Sequence, residues 1–149
     1  MARLTRPAQR KRPVAESPPN IRRLLLDTHV WLWWQCDDRR LGSATRHAIA
    51  EADEVRFSAV SVWEISIKRS LGRLTLPRGA DIEAELQRDG FLPLAIEIAH
   101  ARALEALPNI HRDPFDRMLV AQAIVESLTF ATADDALARY GIPLVRAAE

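Results

Sequence analysis

The chain has 149 residues, 48% apolar and 28% charged, which suits one globular domain with a sizeable core. No apolar run is long enough to span a bilayer, and the basic opening MARLTRPAQRKRP lacks the apolar stretch of a secretion signal. The lone Cys36 excludes disulfide scaffolds and cysteine-based zinc sites, so a cytoplasmic protein is expected. Net charge is +1. Residues 1–23 hold seven Lys/Arg against the single acid Glu16, which leaves fourteen basic and nineteen acidic residues, a net of −5, for the rest. An acidic body is not the footprint of a protein that holds nucleic acid by charge alone. Contact with nucleic acid would run through a cation.

Residues 1–20, with four prolines and little apolar content, read as a disordered basic arm, either a plain extension or a segment that touches RNA. The folded domain is expected over 21–149. IRRLLLD (21–27) reads as a short buried strand ending at Asp27, and THVWLWWQ as a helix start. SATRHAIAEADE (43–54) reads as a helix capped by Ser43, and VRFSAV (55–60) as a second strand. SVWEISIKRSLG (61–72) is expected as a helix from Ser61 to Gly72, and DIEAELQRDG (81–90) as another. FLPLA (91–95) is a strand weakened by Pro93; IEIAHARALEALP (96–108) is a helix ended by Pro108. DPFDRMLVAQAIVES (113–127) is an apolar helix, LTFAT (128–132) a strand, DDALARYG (134–141) a short helix and PLVRA (143–147) a last strand. Strands alternating with helices predict a three-layer α/β/α sandwich around a mostly parallel sheet of four to five short strands.

Acids gather at element ends. In open α/β sheets ligands bind beyond the carboxyl ends of strands, where chain order puts Asp27, Glu64 and Asp134. Asp116 starts the helix that feeds LTFAT, and its start is expected at the opposite edge unless that helix is tilted. Each acid also has a capping reading. Ser61-x-x-Glu64 matches a capping box; Asp113-Pro114-Phe115-Asp116 matches N-cap, N1 and N3; Asp134 suits the cap of its own helix. Against capping alone, Asp116 shares a helical face with Leu119, Val120 and Ala123, and Glu64 with Ile67 and Leu71, stripes expected to point inward. Carboxylates converging in a partly buried place repel, and a divalent cation removes that cost. Oxygen ligands without cysteine or paired histidine favour Mg²⁺ or Mn²⁺ over zinc.

Four stretches, LLLDTHVWLWW (24–34), SAVSVWEISIKRSLGRLTLP (58–77), HRDPFDRMLVAQA (111–123) and TFATADDALARYGIPLV (129–145), together resemble the PIN domain, and within it the VapC-type toxins of bacterial toxin–antitoxin pairs. The resemblance covers roughly residues 22–147. It implies a Mg²⁺- or Mn²⁺-dependent endoribonuclease that leaves 5′-phosphate and 3′-hydroxyl ends, works as a homodimer and is inhibited by a VapB-like antitoxin. By position it implies Asp27, Glu64, Asp116 and Asp134 as catalytic, metal-binding acids, with Thr28, Thr132 and Asp135 beside them. Asp113 takes the capping role first and a metal-adjacent role second.

Other residues carry weaker signals. Lys68, Arg69, Arg73, Arg112 and Arg117 are candidates to hold an RNA backbone, against a plain solvated surface. His29 is read as structural, and His47, His100 and His111 form no pattern. Trp31, Trp33 and Trp34 cannot all face one core from one helix. Trp31, Trp34, Trp63 and Ile67 are therefore read as part core and part antitoxin groove. The rival readings are a non-catalytic RNA- or partner-binding module on the same fold, and a phosphatase with an aspartyl nucleophile. His29 stands where that phosphatase class needs its second aspartate.

Overall fold

The computed structural model describes residues 22–76 and 81–148; the expected arm lies outside them. Five strands form one all-parallel sheet: β1 (Arg23–Leu26), β2 (Glu54–Ser58), β3 (Leu92–Leu94), β4 (Thr129–Thr132) and β5 (Leu144–Arg146), in the order β3-β2-β1-β4-β5. The helices are α1 (Thr28–Gln35), α2 (Ser43–Glu51), α3 (Ala59–Ser70), α4 (Ile82–Asp89), α5 (Ile98–Ala103) and α6 (Pro114–Val125). Among the described residues two 3₁₀ turns complete the fold, Leu104–Ala106 and Asp135–Tyr140.

The central strand explains the layering. Leu24, Leu25 and Leu26 are all fully buried, as a strand covered on both faces requires. Leu24 and Leu26 join one core with Trp31, Val55, Phe57, Ile65 and Leu86. Leu25 points the other way and joins Leu119, Val120, Ala123, Phe130 and Leu137. The two-residue period of a strand thus builds two cores on opposite sheet faces. Each buried leucine contributes roughly 1.5–3 kcal/mol relative to exposure. Pro93 is tolerated because β3 is an edge strand. Gly90 ends α4 at φ +71°, where a side chain would be strained.

Several boundaries differ from expectation. Ser58, not Ser61, is the N-cap of α3, accepting from the Val60 N–H at 3.0 Å. The helix starts two residues earlier because Ala59 and Val60 extend the turn directly off β2. The capping box therefore does not form, and Ser61 is buried inside the helix. Ile67 and Leu71 are exposed, so the inward stripe is Val60, Ser61, Glu64 and Ile65 instead. Gly42 rather than Ser43 is the cap residue of α2. The segment expected as one helix over 96–108 is the short α5 followed by a 3₁₀ turn, and the segment over 134–141 is 3₁₀ rather than α.

The expected conflict over Asp116 does not arise. α6 returns across the sheet antiparallel to the strands. At its far end the Glu126 carbonyl accepts from Arg23 at the start of β1 (3.2 Å). At its near end Asp116 lies with Asp134 beyond the carboxyl end of β4, both against His111. A helix that feeds a parallel strand begins at that strand's far edge, so no tilt is needed.

Candidate metal centre

The strand order reverses between β1 and β4. β2 and β3 lie on one side of β1, and β4 and β5 on the other. Loops leaving the carboxyl ends of β1 and β4 therefore diverge and open a crevice. Asp27 stands at its floor. Its N–H continues the ladder to the Ala131 carbonyl (2.9 Å). Its Oδ1 accepts from the Thr28 N–H (2.7 Å), and its Oδ2 accepts from Thr132 Oγ1 (2.8 Å). Thr132 Oγ1 accepts in turn from the Asp134 N–H (3.1 Å). Asp27 is thereby both the N-cap of α1 and an inward carboxylate.

Glu64 reaches the crevice from α3. It is only 5% exposed. Its Oε1 accepts from Lys68 Nζ (3.3 Å), while Oε2 has no partner among the described residues. Thr28 Oγ1 donates to Ser61 Oγ (2.8 Å), which ties the start of α1 to α3 one turn before Glu64. Asp113 is the N-cap of α6, its Oδ1 accepting from the Phe115 N–H (2.8 Å), with Pro114 at the first helical position. That leaves Asp116 free to face the crevice from the first turn.

Charge crowding follows. Burial, then the neighbouring Asp27 and Asp113, push the Asp116 carboxyl up to about 7, and Glu64 adds to the rise. Burial also raises Asp27, against the hydrogen bonds from Thr132 and Thr28 that lower it. The structure thus brings Asp27, Glu64 and Asp116 within electrostatic reach of one another. A divalent cation fits this donor set: hard carboxylate oxygens, two acids that resist ionisation without a counter-charge, and one buried carboxylate oxygen without a partner.

Asp134 lies at the rim. Its Oδ1 caps the 3₁₀ turn through the Ala136 N–H (3.0 Å), and its Oδ2 pairs with His111 Nε2 (2.9 Å). Asp135 is exposed and pairs with Arg146 (3.5 Å). His111, which formed no pattern in the sequence, stands between Asp134 and Asp116 (3.5 Å). The signal for it was present in HRDPFD, two residues before the capping aspartate, but its ring direction depends on how the loop folds back.

The basic and aromatic candidates separate. Lys68 is committed to Glu64. Arg117 reaches back to the Pro108 carbonyl (2.9 Å) and Tyr140 Oη (3.4 Å), which makes it a loop brace rather than a free cation. Arg69, Arg73 and Arg112 are exposed. Trp31 is a correction to the groove reading: it is fully buried against Phe57 (ring centroids 4.7 Å) and cannot touch a partner. Trp34 is half-buried against Phe91 (5.8 Å). Trp63 is 57% exposed, edge-on to Phe115 (5.0 Å), and with Val62, Ile82, Leu86 and Leu94 it lines an open groove of about 620 Å³ between α3 and α4. Ile67 is exposed one turn further along α3.

Known proteins share the fold and the family. The chain is 30% identical over 121 residues to Ribonuclease VapC22 of Mycobacterium tuberculosis, covering 80% of this chain and 93% of that protein. Its fold is similar to a DNA-bound VapBC from Salmonella typhimurium (TM-score 0.64, 15% identity, 83% of this chain and 97% of that one). It is also similar to VapBC2 from Rickettsia felis bound to a promoter DNA fragment (TM-score 0.61, 13% identity, 83% and 97%). The family model of the PIN domain matches residues 24–143, a span that holds every acid of the crevice, and the chain belongs to the PIN-domain family, in its VapC branch.

Proposed function

We propose that the protein is the toxin of a toxin–antitoxin pair, an endoribonuclease that hydrolyses RNA to 5′-phosphate and 3′-hydroxyl ends with Mg²⁺ or Mn²⁺. The observation that carries this reading is the crowding of Asp27, Glu64 and Asp116 in one partly buried crevice, with Glu64 Oε2 unpartnered among the described residues. The likeness to a ribonuclease over most of its length supports the activity. Asp27, Glu64 and Asp116 hold the cation, with Asp134 as a fourth acid, and Thr28, Thr132 and Asp113 set their directions. Asp135 faces away and pairs with Arg146. The bound cation supplies charge for the phosphate oxygens and lowers the pKa of an attacking water.

The chain's own groups do the rest. Thr132 and the Thr28 N–H hold both oxygens of Asp27 in place before substrate arrives. Lys68 pairs with Glu64, and Arg69, Arg73 and Arg112 remain available to the RNA backbone. The water oxygen gives up a proton and bonds to phosphorus as the P–O3′ bond breaks, and the departing 3′ oxygen takes up a proton, so none is gained or lost overall. No ribose hydroxyl takes part.

An amphipathic segment of a VapB-like antitoxin fits the apolar groove at Trp63. A second copy of the chain fits the exposed apolar side chains Ile98, Ile124 and Val125 on the packed helices α5 and α6. Among the described residues no helix is long and apolar enough to cross a membrane. The test is cleavage of cellular RNA by purified protein with Mg²⁺ or Mn²⁺, beside EDTA and Asp116→Asn controls. Fragments with 5′-phosphates that need both the metal and Asp116 support the reading. Folded, antitoxin-free protein that cleaves nothing favours the non-catalytic binding module.

A further inference from the structure

His111 Nε2, Asp116 and Asp134 offer ligand atoms that all lie within 4.8 Å of one another, the arrangement of a nitrogen-containing metal site. The hydrogen bonds around the ring point elsewhere. His111 Nδ1 accepts from the Asp113 N–H (3.1 Å). A backbone N–H can only donate, so Nδ1 carries the lone pair and, in a neutral ring, Nε2 carries the proton. That proton faces Asp134 Oδ2 at 2.9 Å. For Nε2 to bind a cation the proton would have to move to Nδ1, where it would meet the Asp113 N–H head-on.

The ring has little freedom to escape this. The His111 N–H donates to Tyr140 Oη (2.9 Å), and Arg117 braces the same hydroxyl and the Pro108 carbonyl. Asp113 is itself fixed as the cap of α6. Asp134 is equally committed, with Oδ1 on the Ala136 N–H and Oδ2 on His111.

We infer that His111 is a positioning residue and not a ligand: fixed as an Nε2 donor by the Asp113 N–H, it clamps Asp134 at the rim so that Asp134 does not bond the cation directly. This rests on the proposed metal site and refines its fourth acid. His111 acts on the ligand Asp27 through Asp134 and Thr132, as an outer support of the kind that orients the ligands of a metal. Aligning the Asp134 carboxylate also keeps its N–H on Thr132, and thus Thr132 on Asp27.

The experiment uses the full chain labelled with ¹⁵N-histidine, with the His111 signals assigned by their loss in His111→Gln. Long-range ¹H–¹⁵N spectra are recorded without metal and at saturating Mg²⁺, and Mn²⁺ is added separately for electron spin-echo spectroscopy. The expected result is a protonated Nε2 and bare Nδ1 in both NMR states, and no directly bonded nitrogen around Mn²⁺. Mg²⁺ affinity by calorimetry should fall about 10-fold in His111→Ala, within the range for outer partners, and recover in His111→Gln, which restores a donor near Nε2. His111→Ala should cost nothing further in an Asp134→Ala background, where the acceptor for Nε2 is gone. A proton on Nδ1 in either state, or nitrogen coupling to Mn²⁺, overturns the inference. So does a His111→Gln affinity no better than that of His111→Ala. Absence of any Mg²⁺ binding would overturn the metal-site reading, whereas a Nδ1 proton in the metal-free spectrum would overturn this inference alone.

Discussion

Thr132 Oγ1 donates to Asp27 Oδ2 across the point where the sheet's order reverses, joining the ends of β4 and β1 by one buried 2.8 Å bond. The same hydroxyl accepts from the Asp134 N–H. One side chain thus sets the direction of the floor carboxylate and the start of the loop that bears the rim carboxylate. Thr132→Val keeps the shape and removes both bonds. It should destabilise the protein by about 1–3 kcal/mol, as expected for a buried hydrogen bond to a charged group, and weaken Mg²⁺ binding. Urea denaturation and calorimetric titration check the two effects separately.

Asp116 and Asp27 give the metal-free protein a pH signature. Both carboxyls titrate higher in the folded protein than in the unfolded chain, Asp116 at about 7. Between the ordinary aspartate range and about 7 the folded state therefore holds more protons. The stability this contributes is present at low pH and is lost as pH rises through the window. Glu54, held low by Arg23 and Arg56, loses its contribution only below that window. In EDTA the melting temperature should be lower near pH 8 than near pH 5.5, and saturating Mg²⁺ should cancel the difference. A melting temperature that rises across this range in EDTA would contradict the crowding.

Removing a charge from the cluster separates stability from function. Asp116→Asn should leave the metal-free melting temperature unchanged or higher, because a buried, repelled carboxylate becomes a neutral amide of the same shape. Cleavage should fall by at least ~100-fold, at or beyond the range for groups that merely support ligands. A variant that loses its fold by circular dichroism would show that Asp116 serves the helix instead.

At the groove, Trp63 presents 57% of its surface while Phe115 holds its edge. Trp63→Ala should cost about 2 kcal/mol or more of antitoxin affinity, the scale of a central aromatic anchor. Titration calorimetry with the antitoxin reads this directly. Affinity unchanged from wild type would move the partner to another face.

Gln122 is fully buried in α6. Its Oε1 accepts from Ser58 Oγ, and its Nε2 donates to the Ala95 carbonyl (3.2 Å) and lies 3.4 Å from His100 Nδ1. Ser58 caps the helix that carries Glu64. Gln122→Leu strands these partners in the core and should cost about 1–3 kcal/mol, measured by urea denaturation.

A mostly parallel sheet was legible in the sequence because the apolar runs LLL and TFAT alternate with helical segments, and burial on both faces demands such runs. Asp113 with Pro114 marked the start of α6 because capping is a local act of the backbone. The four acids stood out by their expected places at strand ends and helix starts, although Glu64 lies in the second turn of α3. Chain order did not reveal which element pairs with which ring or hydroxyl. Trp31 is core while Trp63 is exposed, though both sit on helices that follow a buried strand. Ser61 holds Thr28 rather than a helix end, because α3 starts at Ala59. His111 joins Asp134 from 23 residues away only because the loop before α6 folds over the end of β4. Local hydrogen bonding and apolar periodicity act within a few residues, so sequence determined the order of strands and helices. The direction of a side chain in a crevice depends on packing between distant segments, so the tertiary structure alone decided the partners.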